Sequence, residues 1–268
     1  MTDTEAVEGR MTLIEHLTEL RGRLFKSVLA VAGGALVCWI FYDQIFDVLV
    51  SPYCDTLPTE AERLADDGGA LLTQENCVLV TRDPLEEFST RLTVAGYGGI
   101  ALAIPVILWQ AWRFITPGLY PHEKRYAIPF VVSGVLLFFS GSALAYWSIP
   151  RALDFLTNIG GPNLQALFSP MPYLSFVTKM MLAFGLGFQF PILLIFLQMA
   201  GLLDNRTLRK NRPYALVGIV TLVAVITPSG DPITLMVLSV PMYLFYEISI
   251  LYGILAARRR RKRATVET

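Results

Sequence analysis

Residues 12–25 read TLIEHLTELRGRLF. Leu13, Leu17, Leu20 and Leu24 recur at intervals of three and four, which lines one side of a helix with leucine. Thr12 with Glu15 makes a Thr-x-x-Glu capping box, so the helix is expected to begin there. Glu15 and Glu19 stand one turn apart, Arg21 and Arg23 follow, and the sequence then turns apolar for the length of a membrane span. The stretch is expected to be a short amphipathic helix at the membrane surface, holding carboxylates where the chain enters lipid. Glu19 and Arg23, at i,i+4, equally suit a surface pair worth about 0.3–0.5 kcal/mol.

Beyond this stretch the composition sets the class. Of 268 residues 54% are hydrophobic and 16% charged, against about 25% charged in soluble domains. Apolar stretches follow over residues 24–46, 92–112, 127–149, 173–200, 213–227 and 233–256. The expected fold is all-α and polytopic, with six transmembrane helices. Residues 1–20 have neither an apolar core nor a small-residue cleavage site, so the first span itself is expected to target and insert the chain. No internal repeat is visible, which argues against an inverted-repeat transporter.

Gly33 and Gly34 offer the first span a close helix contact, and Pro105, Pro191 and Pro241 fall within later spans. The expected plan is one membrane domain over residues 1–268. Residues 1–11 are acidic and polar and are expected to be disordered. Residues 51–83 form a polar outer loop, and residues 150–172 a second, with room for a short helix at 152–158. Residues 202–212 make a basic connection, residues 228–232 (PSGDP) a tight turn, and residues 257–268 a basic tail. The fifth span is short. Residues 214–227 give ~21 Å of helix against ~30 Å of hydrocarbon, and the uncharged run 233–246, ending at Glu247, is equally short. Such a pair thins the bilayer or tucks its ends against neighbours, which places Glu247 near the inner boundary.

Charge gives the orientation. The amino end to Lys26 holds four Lys or Arg, residues 113–125 three, residues 202–212 four and the tail six. The opposite side holds Arg63, Arg82, Arg91 and Arg151, and Lys179, inside the fourth span, can snorkel outward. The positive-inside rule therefore places both ends in the cytoplasm. The tail RRRRKR could also attract anionic lipid.

Residues 114–125, FITPGLYPHEKR, form the second unusual stretch. Pro117, Gly118 and Pro121 make a rigid turn, and Glu123 opens the next helix, where an acid complements the helix dipole. Glu19 and Glu123 would project from one surface that is otherwise rich in Lys and Arg. Two carboxylates there could receive a cationic ligand, because an arginine can bind a carboxylate through two hydrogen bonds.

With these residues in view the sequence strongly resembles the TatC family, the multispanning subunit of the twin-arginine protein translocase. The matching motifs are HLTELRGRL at 16–24, Pro52, WQAWRFITPGLYPHEKR at 109–125, LAFGLGFQFP at 182–191, RKNRPY at 209–214 and TPSGDP at 227–232. They cover nearly the whole chain after residue 10, in one order. The resemblance implies a receptor for signal peptides bearing paired arginines. It implies export of folded proteins across the cytoplasmic membrane with TatA-type and TatB-type partners, driven by the proton-motive force, with homo-oligomers in the translocase. It implies that Glu19 and Glu123 receive the arginine pair, with Leu20, Arg21, Phe114, Pro117, Leu119 and Tyr120 shaping the site. It also implies a curved, glove-like bundle. The family usually has Glu where this chain has Gln189, which can hydrogen-bond a partner helix, or an internal one, but carries no charge.

Asp231 before Pro232 suits a helix cap with Pro at the first helical position, and the resemblance gives Pro52 and Asp231 a structural or functional role. Cys54 and Cys77 share the outer loop, which is assigned to an oxidising compartment, and are expected to pair; the alternative is two free thiols. Cys38 reads as a small buried apolar residue. Glu247 could pair with an arginine that the sequence does not single out. Enzyme chemistry finds no support. Both histidines, His16 and His122, lie near the surface, no Gly-rich Lys-Ser/Thr phosphate loop exists, and the cysteines lack metal spacing. No cofactor or nucleic acid is expected. A transporter of a cationic solute through the same glutamates is disfavoured by their place at the rim, and a pure scaffold would need neither.

Overall fold

The computed structural model describes residues 13–57, 77, 79, 81–115, 127–159, 168–199, 201, 203–227 and 231–264. Among them every regular element is a helix. In chain order these are α1 (Leu13–Ile40), α2 (Tyr42–Cys54), α3 (Pro84–Ile115), α4 (Ala127–Ile159) and α5 (Pro170–Gly187), then α6 (Phe190–Met199), α7 (Asn205–Lys210), α8 (Arg212–Ile226) and α9 (Pro232–Ala264). Five stretches are long and apolar enough to cross a membrane: Leu17–Ile40, Pro84–Phe114, Ala127–Ile159, Pro170–Met199 and Pro232–Leu255. The shorter apolar α8 supplies the sixth crossing. The chain is thus an all-α, multi-pass membrane protein. With 15 residues, α8 is ~22 Å long, as short as its sequence suggests.

The helices pack as an open row. α1 lies along α3, α3 along α4 and α5, and α4 and α5 along each other; α9 joins through α4 and α6 and carries α8. α1 and α8 therefore stand at opposite ends. The α1–α3 contact is backbone against backbone, since a Cβ on Gly34 would lie 2.8 Å from the Gly99 carbonyl oxygen, and one on Gly99 2.6 Å from the Ala35 nitrogen. Only glycine allows that approach. Gly33, expected to share the contact, faces open space, whereas Cys38 is buried against Gly98. The main core lies deeper, where Ala145, Ile149, Leu174, Val177 and Phe184 of α4 and α5 meet Leu238, Met242 and Ile250 of α9. The exposed Leu24, Phe25 and Leu36 of α1 and Leu244 and Leu251 of α9 are then lipid-facing, the natural place for apolar side chains in a membrane protein.

Five helix boundaries depart from the sequence reading, most of them for a local reason. The amphipathic stretch and the first span form one continuous helix, α1, because nothing between Leu13 and Ile40 breaks the backbone ladder. That helix ends at Ile40 and not near residue 46, since the chain turns at Phe41 (φ −94°, ψ 25°) into α2. The bend is clamped from α3. The Arg91 guanidinium stands 5.1 Å from the Trp39 ring centroid and 4.9 Å from that of Tyr42, and donates to the Trp39 carbonyl at 3.3 Å. The third span runs on to Ile159 through Pro150, and the neighbouring Arg151 donates to the Trp147 carbonyl at 3.0 Å. The fourth span breaks at Phe188–Gln189, because Pro191 has no N–H for the carbonyl four residues earlier. At the far end α9 continues to Ala264, so much of the basic tail is helical.

Candidate functional site

The carboxylate of Glu19 lies in the second turn of α1. Arg23, one turn later, donates Nε to Glu19 Oε1 at 3.0 Å and places Nη2 on the same oxygen. The other oxygen, Oε2, is buried and has no partner among the described residues. The pair is only 18% (Arg23) and 23% (Glu19) exposed. Leu20 and Arg21 are exposed. The surface pair read from the sequence is therefore present, but it uses one carboxylate oxygen and leaves the second available.

The antiparallel register of α1 and α3 sets what stands opposite. Glu19 lies as many residues before Gly34 as Phe114 lies after Gly99, and Gly34 and Gly99 are in contact. Glu19 and Phe114 are thus brought to one end of the same helix pair. Phe114 is half-buried. The turn before it is anchored by Trp112, which is buried against Phe130 of α4 at a ring-centroid distance of 4.5 Å and against Phe196 of α6 at 6.3 Å. Pro117, Leu119, Tyr120 and Glu123 lie outside the described residues, as do Thr12 and the side chain of Glu15.

Gln189 sits where α5 gives way to α6. Its Nε2 donates to the Gly134 carbonyl of α4 at 2.9 Å, while its Oε1 is buried without a partner. Gly134 lets these side chains close in, since a Cβ would lie 2.7 Å from Leu108 Cδ1 and 3.1 Å from Gln189 Oε1. The internal helix bond is made, and one acceptor remains over. Asp231 is buried, and its Oδ2 accepts the Thr234 N–H at 2.6 Å, which caps α9 ahead of Pro232. Glu247 pairs with Arg212, the first residue of α8, at 2.7 Å, and its other oxygen accepts from the Tyr243 hydroxyl at 3.3 Å.

The end opposite Glu19 is tied by the expected Cys54–Cys77 bridge and by Tyr146, Tyr173 and Glu86, which the sequence did not single out. Pro52 has no N–H to offer the Val48 carbonyl, and that carbonyl accepts the Tyr146 hydroxyl of α4 at 2.7 Å. One residue on, the Leu49 carbonyl accepts the buried hydroxyl of Tyr173 of α5 at 2.9 Å. Cys54 and Cys77 are joined by a disulfide with 5.6 Å between their Cα atoms. Glu86 accepts the Arg82 N–H at 3.0 Å and, across to α5, the Met171 N–H at 3.2 Å. Pro52 was the available signal for the tyrosines: a proline inside a helix frees a carbonyl that must find a donor. For Glu86 the acid in the first turn of α3 was visible, but not its reach to a second helix. Among the described residues no group of three or more His, Cys, Asp or Glu could hold a metal ion.

A family model described as Sec-independent protein translocase protein (TatC) matches residues 15–241. Curated relatives carry the same name. That of Frankia casuarinae is 40% identical over 261 residues, covering 97% of this chain and 70% of the relative. That of Aquifex aeolicus is 37% identical over 255 residues, covering 94% and 98%, and that of Escherichia coli K12 is 33% identical over 249 residues, covering 92% and 90%. A crystal structure described as the twin arginine translocase receptor TatC superposes with a TM-score of 0.70 at 36% identity, over 91% of this chain and all of that one. The chain therefore belongs to the TatC family, as a multi-pass membrane component of the Sec-independent, twin-arginine protein translocase.

Proposed function

We propose that this protein is the signal-peptide receptor of its translocase, and that the twin arginines of a cargo's signal peptide dock on Glu19 and Glu123. The observation that carries the reading is the buried, unpartnered Oε2 of Glu19, level with Phe114 at one end of the α1–α3 pair. A guanidinium has the planar fork to take that oxygen while Arg23 keeps the other. Leu20, Arg21, Phe114, Pro117, Leu119 and Tyr120 complete the site, with the exposed leucines of α1 meeting the apolar part of the peptide. Both chain ends lie in the cytoplasm, so the site faces newly made cargo, and the loop over residues 51–83 faces outward. One membrane domain carries all of this, with the basic tail at residues 257–268.

Export of the folded cargo then requires TatA-type and TatB-type single-span subunits, further copies of this chain, and the proton-motive force. Gln189 offers its spare acceptor to a transmembrane helix of one of these partners. Photocrosslinkers at positions 19 and 123 test the receptor reading. Both are expected to capture a twin-arginine signal peptide and to lose it when the arginines are changed to glutamine. Capture that ignores the arginines would favour a scaffold, and a peptide-independent block by small cations a solute carrier.

A further inference from the structure

Glu19 carries one negative charge, and its own helix already brings an arginine to it. At about 3.6 residues per turn, Arg21 stands on the far side of α1 from Glu19, whereas Arg23, one turn on, shares its face. Arg23 places two donors, Nε at 3.0 Å and Nη2, on the single oxygen Oε1. A bidentate pair would have used both oxygens. Here the second, Oε2, stays buried and without a partner among the described residues. Both side chains are mostly enclosed, so water screens the pair less than it would on an open surface.

A bare carboxylate attracts lysine and arginine alike, because its pull comes mainly from net charge. A carboxylate already paired has little net charge left to offer. What remains at Glu19 is a directional acceptor, Oε2. Such an acceptor favours a planar donor with several N–H groups in a fixed fork over a compact, strongly hydrated ammonium. Any cation brought to Oε2 also comes close to the Arg23 guanidinium, and only a well-aligned hydrogen bond offsets that repulsion.

We infer that Arg23 is a specificity-determining residue of the receptor. By neutralising Glu19 from within the same helix, it makes the site read the shape of an incoming guanidinium instead of its charge, and it weakens the attraction for every cation in doing so. The inference rests on the proposed docking of a cargo arginine on Glu19.

The test is equilibrium binding of a twin-arginine signal peptide and its twin-lysine counterpart to the full chain in phosphatidylcholine nanodiscs, for wild type, Arg23→Gln, Arg23→Lys and Glu19→Gln. Arg23→Gln is expected to tighten both peptides. The lysine peptide should gain up to about fivefold, the strength of the released pair, and the arginine peptide less, so that the preference for arginine narrows. Lysine-peptide binding to this variant should also fall more steeply with salt than in the wild type, since bare charge is what salt screens. Arg23→Lys keeps a positive charge on Glu19 and should keep the wild-type preference. Weaker binding of both peptides to Arg23→Gln would overturn the inference and leave Arg23 as a support for Glu19. Equal gains with an unchanged preference would also overturn it, by making Arg23 a plain competitor. Glu19→Gln separates the two readings. If that variant bound the arginine peptide as the wild type does, the docking on Glu19 would fall and this inference with it. If it lost the peptide while Arg23→Gln kept the preference, only the role of Arg23 would fall.

Discussion

The two ends of the bundle are held in different ways. At the disulfide end, links from other helices and from Cys77 converge on α2 and the start of α3: Arg91 on Trp39 and Tyr42, Tyr146 and Tyr173 on consecutive carbonyls, Glu86 on Met171, and the Cys54–Cys77 bridge. At the carboxylate end, α1 past Glu19 presents exposed leucines, and among the described residues the charge of Glu19 is met only by a residue of its own helix. The first end is cross-linked between helices, whereas at the second the Glu19 carboxylate, a group that carries charge, keeps one oxygen without a partner among the described residues.

Four substitutions sharpen or break that contrast. The largest effect is expected at the rigid end. Cys54→Ser should lower stability by about 3 kcal/mol in the chain-entropy model for a loop of this length, read as a shift in the denaturant midpoint in detergent, and reductant should reproduce it in the wild type. Next comes Asp231→Ala, which removes the cap of α9 and should cost about 1 kcal/mol; hydrogen exchange should speed up at the first turn of α9 before any other. Tyr173→Phe leaves the Leu49 carbonyl with one donor fewer and should cost about 1 kcal/mol, with spin labels on α2 and α5 showing a broader distance distribution. The smallest is Arg212→Gln. Its pair with Glu247 is partly exposed and so worth about 0.5 kcal/mol, and only a double-mutant cycle with Glu247→Gln would resolve it. If Tyr173→Phe and Cys54→Ser left α2 as well ordered as before, the contrast between the ends would collapse.

Much of the fold was legible because it depends on period and composition. Six apolar stretches, the short α8 and the cap at Asp231 follow from spacing alone. What escaped depends on the third dimension. Phe41 is neither proline nor glycine, so the bend there could not be read without Arg91, fifty residues on, filling the inside of the turn. Pro150 looked like a span end, yet the helix passes through it to Ile159. Gly33 and Gly34 are adjacent and chemically identical, and only packing decides that Gly34 meets α3. In the candidate site, Glu19 was legible from its place at the entry to lipid. That Arg23 takes only one of its two oxygens was not, because i,i+4 spacing predicts a pair but not its geometry.

The direct measurement of the central claim is equilibrium binding of twin-arginine and twin-lysine signal peptides to wild type and Glu19→Gln. A charged hydrogen bond contributes about 1.5–3 kcal/mol, so the substitution should weaken the arginine peptide more than tenfold. The lysine peptide, which lacks the fork that fits the free oxygen, should lose far less, so that the preference for arginine largely disappears. Equal losses for the two peptides, or unchanged binding of the arginine peptide, would contradict a specific docking of arginine on Glu19.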